Sequence, residues 1–107
     1  MKISDEILDK AFAIYEEFGP DRFINRRDRL EGHLHLLSPD EIDYVMKIME
    51  DISNTIWSLA RIGGEIKLGK ERVRELLQGE HPYLKAEGLD KALFLVNYFA
   101  WHDGFDK

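Results

Sequence analysis

Residues 38–62 read SPDEIDYVMKIMEDISNTIWSLARI, and this stretch decides the fold class. Ser38 is a favoured helix N-cap residue, Pro39 suits the first helical position, and Glu41 completes an S-x-x-E capping box. Behind that start, Ile42, Val45, Met46, Ile48, Met49, Ile52, Ile56, Trp57, Leu59 and Ala60 follow a helical period. They cover an arc of roughly 180°, wider than a helix facing one neighbour requires. The pattern predicts a helix over about 39–62 that several others touch. Gly63-Gly64 frays or ends it, with Glu65 and Ile66 able to prolong it by a turn.

The same period extends on both sides. Ser4 caps a first helix, with Asp5 and Glu6 in the turn where the helix dipole favours anions. Ile7, Leu8, Ala11, Phe12, Ile14, Tyr15 and Phe18 share its apolar face, and Lys10, Glu16 and Glu17 fall largely on the other. Gly19-Pro20 is its expected stop. Asn25 caps a short second helix carrying Leu30 and Leu34 and reaching towards Leu37, while Phe23 and Ile24 pack where the chain enters it. After Gly69 a short helix turns Val73, Leu76 and Leu77 inward, and Gly79 and Pro82 close it. The last helix is expected over about 86–102, stopping before Gly104. No segment alternates with period two. The expectation is a single all-α domain over 1–107, a compact bundle of about five helices whose core is built by those near 39–62 and 86–102.

Composition narrows the function classes. At 107 residues, 44% hydrophobic and 34% charged, with three prolines and eight glycines, the chain is neither collagen-like nor wholly disordered. Fifteen Lys and Arg against twenty-one Asp and Glu give a net charge of −6, which makes nucleic acid an unlikely partner. Absence of cysteine excludes a disulfide, a thiolate nucleophile and a Cys-type zinc site, and is compatible with a cytoplasmic protein. The first twenty residues are too charged for a signal peptide. The longest apolar run, Ala92–Trp101, is about half a membrane span, so no membrane partner is expected.

Three constellations carry candidate chemistry. On the last helix, Leu89, Ala92, Leu93, Val96, Phe99 and Ala100 share one face, and Phe94, Tyr98 and Trp101 form an aromatic stripe on the far side. Asn97 is the one strongly polar side chain between Ala92 and Trp101. A helix apolar all round is either enclosed by its own bundle or covered by another chain, and aromatics with polar tips are frequent at protein interfaces. The second constellation is Arg22, Arg26, Arg27 and Arg29. These guanidinium forks either pair with the chain's own carboxylates, chiefly Asp40, Glu41, Asp43, Glu50 and Asp51, or hold a phosphate or an acidic peptide. Third come His33, His35, His81 and His102-Asp103. Two histidines two apart share a metal only on non-helical backbone, so capping or surface roles are the simpler reading.

There is no P-loop, no dinucleotide-type glycine pattern, no HExxH and no nucleophile-elbow serine, and so no cofactor signature. The carboxylate pairs Glu16-Glu17 and Glu50-Asp51 read as solvated faces. The sequence favours a non-enzymatic protein acting through protein–protein contact, including self-association through Phe94, Tyr98 and Trp101, with Arg22, Arg26, Arg27 and Arg29 as a secondary patch. Its rivals are an acidic inhibitor or immunity-type protein covering a basic surface, and a metal-dependent hydrolase using His33, His35, His102 and Asp103.

Overall fold

The computed structural model describes residues 3–17 and 23–107. Among them lie six α-helices and no strand: α1 (Asp5–Tyr15), α2 (Arg26–His33), α3 (Pro39–Ile62), α4 (Gly64–Leu68), α5 (Lys70–Glu80) and α6 (Glu87–His102). Phe18, the Gly19-Pro20 stop and Arg22 lie outside the described residues. Three helix starts are made by the residues the sequence nominates. Ser4 Oγ accepts from the Ile7 N–H at 3.2 Å, and Asn25 Oδ1 accepts from the Asp28 N–H at 2.9 Å. At α3 both halves of the capping box form: Ser38 Oγ accepts from the Glu41 N–H at 3.2 Å, and Glu41 Oε1 accepts from the Ser38 N–H at 2.9 Å.

The core is a compact all-α bundle. Val45, Met49, Ile52 and Ile56 of α3 meet Ala92 and Val96 of α6, Phe12 of α1, and Val73 and Leu77 of α5, each no more than 1% exposed. α6 lies between α1 and α3, and each of α3 and α6 turns seven residues into the interior. The two helices expected at the core are there. No helix among the described residues is long and apolar enough to cross a membrane.

Several expectations are corrected. Six helices lie among the described residues where about five were expected, because Gly63 (φ 114°) and Gly64 (φ 60°) adopt left-handed backbone and turn the chain into the separate helix α4. An added Cβ on Gly64 would sit 3.0 Å from Asn97 Oδ1 and 3.3 Å from the Ala100 Cβ, so glycine also permits the close approach to α6. α1 stops at Tyr15, short of Phe18, where the Tyr15 carbonyl accepts from Arg29 Nη2 at 2.5 Å. α2 ends at His33, leaving Leu37 outside any helix though packed on the core. Gly79 sits inside α5 instead of closing it.

Candidate functional site

Every residue of the predicted stripe faces outward. Phe94 is 54% exposed, Tyr98 40% and Trp101 64%, so α6 is not enclosed on all sides. The rings form a connected surface. Phe94 stacks on Tyr98 with centroids 6.0 Å apart; Tyr98 lies 6.2 Å from Trp101 and 5.6 Å from His102. Tyr98 also meets Phe99 edge-on at 5.7 Å, and Phe99 stacks on Trp57 of α3 at 4.4 Å with ring planes 9° apart. Trp57, expected on the buried arc of α3, is half-exposed because that stack sits at the bundle's edge.

Next to this ladder is a cleft of about 320 Å³ between α1, α3 and α6. Ile56, Leu95, Trp57 and Phe99 make its apolar side. Tyr15, Glu16, Glu50, Ser53 and Asn54 make the polar side, with Arg26 reaching in from α2. Arg26 places its guanidinium 4.6 Å from the Tyr15 ring centroid and bonds Glu16 Oε1 at 3.2 Å. Glu16, read from sequence as solvated, leaves only 12% of its side chain exposed. Burial pushes its carboxyl above the ordinary range, even though Arg26, Arg29 and Lys91 all pull it down. Burial likewise raises the Tyr15 phenol, and the Arg26 charge opposes that shift.

The described members of the arginine cluster, Arg26, Arg27 and Arg29, bond to groups of the protein itself. Arg27 Nε bonds Glu31 at 2.8 Å and its Nη1 pairs with Asp43, one of the α3 carboxylates the sequence offered as partners. Arg29 is 7% exposed and donates to the Tyr15 and Ile24 carbonyls, at 2.5 and 2.9 Å. Of the α3 carboxylates, Glu41 belongs to the helix cap and Asp43 pairs with Arg27, while Asp40, Glu50 and Asp51 are exposed.

Histidines do not converge either. His33 and His35 border a groove with Glu6, Ile7 and Lys10 of α1, whereas His102 ends α6 beside Asp103, Nδ1 to Oδ1 at 3.7 Å. No group of three His, Asp or Glu able to hold a metal occurs among the described residues. His81, for which a surface or capping role was expected, stands at the C-cap of α5 and is buried rather than at the surface. Its Nε2 lies 2.8 Å from Thr55 Oγ1 and its Nδ1 lies 2.9 Å from Tyr83 Oη.

Two positioning residues escape the sequence reading. Asp9 is 6% exposed and accepts from the N–H groups of Lys85 (2.7 Å), Ala86 (3.1 Å) and Gly88 (3.2 Å), capping α6 from the other end of the chain. Asn97 Oδ1 accepts from the Glu65 N–H at 3.1 Å and so ties α4, which has no side-chain cap of its own, to α6. An acidic residue one position from the apolar stripe of α1, and a lone amide in an apolar helix, were the available signals. Comparisons with protein-family models, with curated proteins and with solved structures find no match for this chain.

Proposed function

We propose that this protein acts through protein–protein contact and that the face of α6 carrying Phe94, Tyr98 and Trp101 pairs with a second copy of itself. The observation behind this reading is the exposure of three large aromatic side chains on one helical face, at 54%, 40% and 64%. With about 150–250 Å² per aromatic side chain, they offer on the order of 300 Å² of ring surface, comparable to the largest apolar patch on an ordinary monomer. Two copies related by a twofold axis contribute on the order of 600 Å² of aromatic area. That is about half of what a specific interface needs, and Trp57, Lys91 and His102 around the stripe supply rim. A twofold axis perpendicular to α6 sets the two helices antiparallel, so their dipoles oppose favourably. It also brings the acidic first turn of one helix, Glu87 and Asp90, towards His102 of the other.

Solution mass by light scattering, from about 5 µM to about 500 µM, tests this over the range in which weak homodimers form. The mass should rise from 12.6 kDa towards twice that value. Trp101→Ala should hold the monomer mass throughout and leave the melting temperature at low concentration nearly unchanged, because the ring is 64% exposed. A wild-type mass of 12.6 kDa across the whole range would reject self-association. A sharp fall in the melting temperature of Trp101→Ala at every concentration would make the ring a structural one.

A further inference from the structure

We infer that the cleft between α1, α3 and α6 binds a small organic cation, an aromatic amine or amidine whose flat body lies against Trp57 and Phe99 and whose charged end reaches Glu50 and Glu16. This site adjoins the aromatic stripe through Trp57, but its lining includes none of Phe94, Tyr98 and Trp101. Its volume of about 320 Å³ lies at the lower end of the range for small-molecule sites.

Its two sides differ in kind. One is aromatic and aliphatic, with the Trp57–Phe99 pair stacked nearly parallel at 4.4 Å. Beside it, Glu50, Ser53 and Asn54 present a carboxylate, a hydroxyl and an amide from the α3 turns that precede Trp57. None of these three side chains makes a hydrogen bond or ion pair with another described residue. Polar groups without internal partners beside an apolar wall are the composition of a site that fixes a ligand's orientation.

Charge selects the ligand's sign. Among the described residues two carboxylates line the cleft, Glu16 and Glu50, and Arg26 is the one cationic side chain lining it. Arg26 already bonds Glu16 at 3.2 Å and covers the Tyr15 ring, so Glu50 is left without a counter-charge in the cleft. An anionic ligand would face both carboxylates and have to displace Glu16 from Arg26. A cationic one supplies N–H donors to Glu50 and to the remaining lone pairs of Glu16, and gains attraction from the π faces beside it.

The test titrates benzamidinium into isotopically labelled protein while following the Trp57 indole N–H and the backbone amides of Glu16, Ser53 and Asn54. Saturable shifts at these positions are expected, with a Kd on the order of 1 mM, typical of so small a ligand. Neutral benzamide and anionic benzoate, of nearly the same shape, should bind about tenfold more weakly or worse, because they lack the charge-assisted hydrogen bonds. Glu50→Gln should also weaken benzamidinium about tenfold without changing the melting temperature, since Glu50 is exposed and makes no internal bond. Absence of saturable shifts at the cleft, equal binding of benzamide, tighter binding of benzoate, or an unchanged affinity in Glu50→Gln would each overturn the inference.

Discussion

Buried His81 shows how a single residue's hydrogen bonds fix its protonation. Thr55 Oγ1 donates its proton to the Asp51 carbonyl at 3.2 Å, so it can only accept from the His81 Nε2–H. Nδ1 is then the acceptor for the hydroxyl of Tyr83, which burial pushes up to about 12 and so keeps protonated. A neutral ring satisfies both partners. Burial accordingly lowers the His81 pKa below 6.5, although Glu80 and Asp51 pull the other way. The sign of the pH effect follows. Above pH 6.5 the ring is neutral folded or unfolded, and its contribution to stability is present in full. As pH falls through that value, the unfolded chain takes up the proton first, and stability is lost until the folded ring titrates too. Denaturant melts of wild type and His81→Gln at about pH 7.5 and about pH 5.5 isolate this loss, because the other titrating groups are common to both proteins. Wild type should lose more stability than the variant over that interval, and parallel slopes would remove His81 as the cause. The sequence placed His81 before Pro82 but gave no sign of burial, because its partners Thr55 and Tyr83 lie on a different helix and in a loop.

At the scale of elements, capping explains which boundaries were legible. α2 and α3 start where local side chains bond their own first-turn N–H groups, and both starts could be read from neighbouring residues. α6 has no such local signal. Ala86 stands at its N-cap with no side-chain hydrogen bond, and Asp9 closes that end from 76 to 79 residues away. Gly88 completes the joint, since any Cβ there would collide with the Asp9 backbone carbonyl. The same reasoning applies to Asn97 and α4: a residue that looked anomalous within its own helix serves the start of another. The aromatic stripe was legible because its spacing lies within one helix. The cleft was not, because its lining combines residues of four helices whose arrangement the period of any one of them leaves open. Asp9→Ala should therefore destabilise the protein by about 2–4 kcal/mol, leaving three N–H groups at the start of α6 without their acceptor. Hydrogen exchange in the first turn of α6 should speed up more than in α3 or α5. A loss under about 0.5 kcal/mol would mean that water replaces the carboxylate without cost.

For the molecule as a whole, self-association sets an apolar attraction against a charge that opposes it. Each copy carries −6, and pairing two of them through α6 brings like-charged bodies within a few ångströms of one another. The centre of the proposed interface is ring surface, whose burial does not depend on ion pairs. Salt should therefore strengthen the dimer. It shortens the Debye length from about 10 Å at 0.1 M to about 3 Å at 1 M, which screens the long-range repulsion and leaves the aromatic contact in place. Several-fold tighter association is expected between about 50 mM and about 500 mM sodium chloride, with sulfate more effective still because its exclusion from protein surfaces favours apolar burial. Sedimentation equilibrium across that series gives the dissociation constant directly. Weaker association with rising salt would show that charge pairs hold the copies together, and would move attention from Trp101 to the acidic first turn of α6 and His102.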